Sequence, residues 1–273
     1  MTTDLALRDI TLRSHIWDAR GKPKGIVMIV HGIAEHMGRY EHVAQHLRAN
    51  GFLVASYDQR GHGKSGGERA YIDDWDQYLD DLKVWHKHLQ VAYTGLPFFF
   101  FSHSLGGLVV FHYLVRDEPD IDGAVFSAPA LKVSEDISPF LQKIAPLLGR
   151  LFPKLKAMKI NVQHISRDPQ VVADYVNDPL VYSGGIYAKT GAVVLTATKQ
   201  VAGLLARFQA PFLVMQGSND KLTDPAASEA FYREATSSDK QFREFPGLYH
   251  ELVNEPEKDK VLKIVTDWLN ARI

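Results

Sequence analysis

The stretch Phe98-Phe99-Phe100-Phe101-Ser102-His103-Ser104-Leu105-Gly106-Gly107-Leu108 constrains this chain more than any other. The phenylalanine run reads as a strand buried on both faces, and the apolar pattern after Ser104 reads as a helix. A strand that passes into a helix through so short a connection must turn sharply. A sharp turn lifts the Ser104 hydroxyl out of the backbone, and the small Gly106 and Gly107 allow strand and helix to pack closely around it. Ser104 is therefore the first candidate nucleophile. The pattern departs from G-x-S-x-G at its first position, where Ser102 stands for glycine.

The surrounding sequence repeats the alternation. Residues 25–30, 52–57, 124–127 and 212–215 are further continuous apolar runs, as expected of buried parallel strands, and the alternating residues 10–17 predict an edge strand. A strand-like stretch also covers 240–245. Helical patterns fall at about 40–49, 73–91, 105–115, 226–234 and 256–270. Strands alternating with helices predict an α/β fold with a mostly parallel, doubly wound sheet. The 273 residues fit a single domain, 1–273, interrupted at about 131–203 by a helical cap rich in proline. Within that insertion Ile137, Phe140, Leu141, Ile144, Leu147, Leu148, Leu151 and Phe152 recur at helical spacing. The simplest expectation is a cap helix packed on the core. Lys143, Arg150, Lys154, Lys156 and Lys159, with no acidic residue among them, also fit transient contact with an anionic membrane surface.

Composition excludes several classes. Lysine and arginine number 31 against 32 aspartate and glutamate, without a basic cluster, so nucleic acid is not an expected partner. The chain has no cysteine, which removes disulfides, thiolate metal sites and a cysteine nucleophile, and is compatible with a cytoplasmic location. Residues 1–9 carry charges and no apolar core, unlike a secretory signal. The longest apolar candidate, 192–206, is shorter than the roughly 18 residues of a membrane span and contains Lys199 and Gln200.

A serine hydroxyl attacks only when a base takes its proton, and the base needs an acid to orient it. Asp220, in Gln216-Gly217-Ser218-Asn219-Asp220, follows the strand at 212–215. His250, in Gly247-Leu248-Tyr249-His250, follows the stretch at 240–245. Both fall in loops on the rim that carries Ser104, in the chain order serine, acid, histidine. Asp224 is a reserve acid, although its place before Pro225 suits a helix N-cap. Taken singly, Asp220 fits a turn and His250 a surface loop; it is the set of three that points to acyl transfer. The oxyanion would need two N–H donors, for which Leu105, after the nucleophile, and Ile33, after His31-Gly32, are the candidates.

Other motifs lead less far. Gly61-His62-Gly63-Lys64-Ser65-Gly66 matches G-x-G-x-x-G, but no apolar helix follows it and it is not the first βα turn, which argues against a nucleotide-dependent oxidoreductase. A phosphate-binding P-loop would need glycine where Asp58 stands. His42 and His46 are one helical turn apart, yet His250-Glu251 lacks the second histidine of H-E-x-x-H because Asn254 stands there, so neither metal nor cofactor is expected. A silent binding module of the same fold remains the alternative without catalysis.

Four blocks carry a family resemblance: His31-Gly32-Ile33-Ala34-Glu35-His36 with Arg39-Tyr40, Asp58 through Arg69, Ser102 through Gly107, and Asn177-Asp178-Pro179-Leu180. With the Asp220 and His250 blocks, they make the chain similar to the monoacylglycerol lipase family of the α/β-hydrolase superfamily over nearly its whole length. The resemblance implies an α/β-hydrolase fold with an inserted cap and hydrolysis of the ester of a small lipid, a monoacylglycerol, to fatty acid and glycerol. A lysophospholipase or short-chain carboxylesterase is the alternative. It implies Ser104, Asp220 and His250 as triad and Ile33 and Leu105 as oxyanion donors. It also implies that Glu35, Arg39, His103 and Tyr175 shape a polar pocket for glycerol. The family's usual His-Gly-x-Gly-Glu-His has Ala34 here in place of its second glycine.

Overall fold

The computed structural model describes residues 2–7, 9–132 and 138–273. Among these residues the chain runs β1 (Thr2–Ala6), β2 (Thr11–Trp17), β3 (Ile26–Val30), α1 (Glu41–Ala49), β4 (Leu53–Tyr57), α2 (Asp76–Ala92), β5 (Phe98–His103), α3 (Leu105–Asp117) and β6 (Gly123–Ser127). It continues with α4 (Pro139–Leu151), β7 (Lys156–Met158), α5 (Pro169–Asn177), β8 (Ile186–Tyr187), α6 (Ala188–Leu204), β9 (Phe212–Gly217), α7 (Pro225–Glu234), β10 (Lys240–Phe245) and α8 (Lys258–Asn270).

One sheet has the order β1-β2-β4-β3-β5-β6-β9-β10. The β1–β2 and β2–β4 pairs are antiparallel, and every pair from β4 to β10 is parallel. This is the expected doubly wound α/β sheet. Residues 10–17 do not form its edge, however: β2 is covered by β1, paired Thr2 to His15 through Ala6 to Thr11. The five-residue β1 has too little apolar alternation to announce itself.

The apolar runs are explained by two cores. Along β3, Ile26, Met28 and Val30 join the core on one face of the sheet while Val27 and Ile29 join the other, and Phe98 and Phe100 of β5 are likewise separated from Phe99 and Phe101. A strand sandwiched between helices buries both sets, so its sequence shows no polar alternation. After β3 the chain moves to β4 on one side, and after β5 to β6 on the other. The loops leaving β3 and β5 therefore diverge above two adjacent strands, which opens a crevice at their carboxyl ends.

Between β6 and β9 the chain leaves the sheet. Of the apolar stripe expected in this segment, Ile137 lies outside the described residues. Of Leu147, Leu148, Leu151 and Phe152, Leu148 lines the interior cavity, whereas Leu147, Leu151 and Phe152 are 58%, 59% and 59% exposed. No helix among the described residues is long and apolar enough to cross a membrane.

The first turn of α3 is pressed against the end of β3. A Cβ on Gly106 would overlap the carbonyl oxygens of Val30 and His31. Gly106→Ala should therefore lower stability by about 1–3 kcal/mol, the usual cost of overpacking, measured as a lower urea midpoint at unchanged slope.

Candidate active site

Ser104 occupies the turn between β5 and α3 with φ 52° and ψ −120°, a conformation L-residues adopt only under strain. The turn is held by its own backbone. The Ser104 N–H donates to the Ser127 carbonyl at 3.2 Å, and the Ser104 carbonyl accepts from Leu108 at 3.2 Å and Ala130 at 3.0 Å. Ser102, which replaces the elbow's usual glycine, donates its hydroxyl to the Val125 carbonyl at 3.1 Å, so its side chain is absorbed between β5 and β6. Leu105 is the first residue of α3, where an N–H has no acceptor within the helix.

The loop after β3 faces this turn. A Cβ on Gly32 would sit 2.8 Å from Glu35 Oε1 and 3.2 Å from the Ser104 Cβ, so glycine lets the loop come this close without displacing either. Ala34 carries φ 66°, at the position where the similar family has glycine, and so holds a left-handed turn at a cost. Glu35 fixes the loop: its carboxylate accepts from the Gly32 N–H at 2.6 Å, the Tyr40 hydroxyl at 2.7 Å and Arg39 Nη1 at 2.8 Å. Burial alone would raise the Glu35 pKa, but Arg39, the neighbouring His103 and His31 and the Tyr40 hydrogen bond together outweigh it and bring the carboxyl to about 2. Ile33, between Gly32 and Ala34, lines the same cavity as Ser104 and Leu105.

Asp220 and His250 leave the carboxyl ends of β9 and β10 and meet. His250 Nδ1 donates to Asp220 Oδ2 at 2.8 Å. The same carboxylate accepts from Gln216 Nε2 at 2.8 Å, the Thr223 hydroxyl at 2.7 Å, and the N–H groups of Leu222 at 2.8 Å and Thr223 at 3.1 Å. Burial works against ionisation of Asp220, yet the charge of His250 and these donors bring its pKa to about 2. For His250 burial opposes protonation, but the Asp220 carboxylate prevails and raises its pKa above the ordinary 6.5. With Nδ1 committed to Asp220, Nε2 is the nitrogen left to exchange a proton with a substrate group. Asp224 does not take part: it caps α7, accepting from the Ala226 N–H at 2.9 Å, and pairs with Lys132 at 2.5 Å.

Ser104 and His250 both line a cavity of about 530 Å³, within the range of small-molecule sites. Ala145, Leu148, Ala192 and Leu195 give it an apolar wall beneath α4 and α6, and Glu35, His103, Tyr175 and Glu251 line another part. Of the residues expected to form a polar pocket, Arg39 is not on the cavity lining. It lies behind it, engaged by Glu35 and by both oxygens of Glu251, with its guanidinium 4.6 Å from the Tyr175 ring centre. Nor is Glu35 an open acceptor, since three donors occupy it. His103 donates from Nδ1 to the Ser127 carbonyl at 3.0 Å and its ring lies 4.6 Å from that of His250. Burial and the neighbouring His250 lower its pKa to about 4, so near neutrality His103 is uncharged.

Sequence reasoning missed Gln216, Thr223 and Glu251. The first two stand four and three residues from Asp220, a local spacing that hints at support for it. Glu251 gives no such hint, because its partner Arg39 is 212 residues away. The Gly61–Gly66 stretch proves to be a turn folded over Asp58, which accepts from the N–H groups of Met37 at 2.9 Å and Lys64 at 2.7 Å. His42 and His46 are engaged elsewhere: His42 Nε2 donates to the Val253 carbonyl at 2.7 Å, and His46 Nε2 is hydrogen-bonded to the Thr266 hydroxyl at 2.9 Å.

A parallel sheet of this order, with a strained serine at the carboxyl end of β5, defines a serine hydrolase of the α/β-hydrolase fold. The family model described as serine aminopeptidase, S33, matches residues 21–257. A monoacylglycerol lipase of Mycolicibacterium smegmatis is 37% identical over 94% of this chain and 92% of that protein. The crystal structure of a Paleococcus ferrophilus monoacylglycerol lipase superposes with a TM-score of 0.87 at 32% identity, covering 96% of this chain and 99% of that one. The phospholipase YtpA of Bacillus subtilis is 30% identical over 90% of this chain and 95% of its own length. The chain belongs to the monoacylglycerol lipase family of the α/β-hydrolase superfamily, and is a carboxylic-ester hydrolase.

The opposing influences on His250 are separable. Its ring, followed by NMR through a pH titration, should titrate with a midpoint above 6.5. In Asp220→Asn the burial that opposes the imidazolium loses its main counterweight, and the midpoint should move down.

Proposed function

We propose that this chain hydrolyses monoacylglycerols through a Ser104–His250–Asp220 triad and an acyl-enzyme. His250 Nε2 takes the Ser104 proton as Oγ attacks the ester carbonyl, and the imidazolium is stabilised by Asp220. The N–H groups of Ile33 and Leu105 receive the oxyanion. Collapse of the tetrahedral intermediate breaks the ester C–O bond, and His250 returns the proton to the leaving glycerol oxygen. Water, deprotonated by His250, then attacks the acyl-enzyme, releasing the fatty acid and Ser104. No cofactor enters any step. The observation that carries this reading is the 2.8 Å His250–Asp220 hydrogen bond, at the edge of an apolar cavity that the strained Ser104 also lines. The names of the relatives at 37% and 32% identity add the substrate class.

In this reading the chain is one domain, and residues 131–203 form a cap whose α4 and α6 cover the acyl chain. Glu35, His103 and Tyr175 border the glycerol end, with Arg39 supporting them from behind. A second reading, hydrolysis of lysophospholipids, is favoured by one feature: Lys159 and Lys221 are among the cavity residues and carry the charge that a phosphate would take. The phospholipase relative points the same way.

A fluorophosphonate probe should label the wild-type chain at Ser104 and leave Ser104→Ala unlabelled, with ester turnover reduced by roughly 10⁴-fold or more. Wild-type turnover by Ser104→Ala would refute the triad. Monoacylglycerols of graded chain length, run beside lysophosphatidylcholine and short p-nitrophenyl esters, separate the substrate classes by kcat/KM.

The exposed Leu147, Leu151 and Phe152, with Lys143, Arg150, Lys154, Lys156 and Lys159 nearby in sequence, support transient contact of α4 and the segment after it with an anionic membrane surface. Co-sedimentation with phosphatidylglycerol vesicles should fall in the double variant Leu147→Asp, Leu151→Asp while turnover of a soluble ester persists. Unchanged sedimentation would refute the contact.

A further inference from the structure

Two loops must keep register for the proposed chemistry: the one that offers the Ile33 N–H and the one that carries His250. The structure joins them through a buried chain of contacts. Glu35 holds the Gly32 N–H and receives Arg39 Nη1. Arg39 then grips the residue next to the base, donating Nη1 to Glu251 Oε1 at 2.6 Å and Nη2 to Glu251 Oε2 at 2.7 Å. Glu251 is fixed further by Asn254 Nδ2 at 2.8 Å and, through its own N–H, by the Ile165 carbonyl at 2.8 Å. The side chains of Glu35, Arg39 and Glu251 are only 3%, 10% and 5% exposed. Two carboxylates against one guanidinium leave this cluster with one net negative charge, shielded from water, beside the imidazole.

We propose that Arg39 and Glu251 are positioning residues, which lock the oxyanion loop to the base loop and set the charge His250 feels during proton transfer. The inference rests on the triad reading above. The negative charge of Glu251 favours the imidazolium, just as Asp220 does from the other side. Unneutralised, however, Glu35 and Glu251 would also oppose the anion forming near the Ile33 N–H. Arg39 balances these demands, and its planar fork makes the balance geometric as well as electrostatic. The charged or titratable groups around His250 are Asp220 on the β9 loop, His103 at the elbow, Glu35 on the β3 loop and Glu251 on its own loop. Lys132, Lys159, Lys221, His164, Tyr175 and Tyr187 share the cavity. Of these, Glu35 and Glu251 are the ones Arg39 controls.

The test is the pH dependence of kcat and KM on p-nitrophenyl butyrate for the full chain and for Glu251→Gln, Arg39→Met and Arg39→Lys, with fluorophosphonate labelling of each. In Glu251→Gln, which removes one negative charge at almost unchanged shape, the acid limb of kcat/KM should move to lower pH. Arg39→Met should move it to higher pH and lower kcat by about 10²-fold, the scale of a small misplacement in a catalytic site, with KM little changed. Arg39→Lys should keep the limb near the wild-type position but recover only part of kcat, because an ammonium cannot make the fork. An unmoved limb in Glu251→Gln, or limbs moving the same way in Glu251→Gln and Arg39→Met, overturns the proposal. If Arg39→Met does not fold, Glu251→Gln decides alone. A wild-type chain unlabelled at Ser104 refutes the triad itself, whereas a labelled chain with an unmoved Glu251→Gln limb refutes only the positioning role.

Discussion

The parallel pairing of β3 with β5 is the constraint from which the site follows. Val30 lies in register with Ser102, so the two strands end level and their loops start side by side. One loop then goes to β4 and the other into α3, which leaves the crevice open above the pair. Closeness at that point is set by glycine: Gly32 lets the β3 loop reach Ser104, and Gly106 lets α3 rest on the last carbonyls of β3. The strain of Ser104 is tolerated because its N–H and carbonyl are both hydrogen-bonded, and that of Ala34 because Tyr182 donates to its carbonyl and Glu35 holds the Gly32 N–H.

Electrostatics in the crevice is arranged as paired opposites. Asp220 is surrounded by donors until its negative charge is secure, and that charge, with its hydrogen bond to His250 and the charges of Glu251 and Glu35, overcomes the burial of His250. Glu35 is treated likewise, with Arg39, Tyr40 and the Gly32 N–H around it. His103, which lacks a carboxylate partner, is left to burial and stays neutral. Adjacent imidazoles thus shift in opposite directions, His250 upward and His103 downward, because one has an acid within hydrogen-bonding distance and the other has a carbonyl.

What was legible in the sequence is what local spacing encodes. The phenylalanine run, the elbow and the N-cap of α7 at Asp224-Pro225 each sit within a few residues of the features that define them. The carboxyl-end placement of Asp220 and His250 followed from their positions after strands. Contacts between distant loops were not legible: Arg39 and Glu251 carry no mark of one another, and Arg39 alone reads as a residue available to substrate when its fork is already filled. The apolar stripe of α4 shows a different limit. Helical periodicity groups Leu147, Leu148 and Leu151 together, but it cannot say that Leu148 meets the cavity while its neighbours meet solvent. Strand β1 was hidden because a short, polar edge strand owes its form to its partner rather than to its own pattern.

The segment between β6 and β9 is tied unevenly to the rest. Around α5 it is anchored to both loops of the site: the Ile165 carbonyl accepts from Glu251, the Arg167 side chain pairs with the buried Glu255, Tyr182 donates to the Ala34 carbonyl, and Asp178 pairs with His36. Glu255 in turn accepts from the Tyr249 N–H, next to His250. The part of the cavity bordered by Tyr175 is therefore built from the same hydrogen bonds that hold the Ala34 and His250 loops, and a change in one must be felt by the other. The apolar wall beneath α4 and α6 has no such bonds to Ala34 or Glu251 among the described residues. Substitutions near Tyr175 should thus couple to turnover, whereas those lining the wall at Leu148 or Leu195 can alter the fit of an acyl chain while leaving the geometry of Ser104, His250 and Asp220 intact.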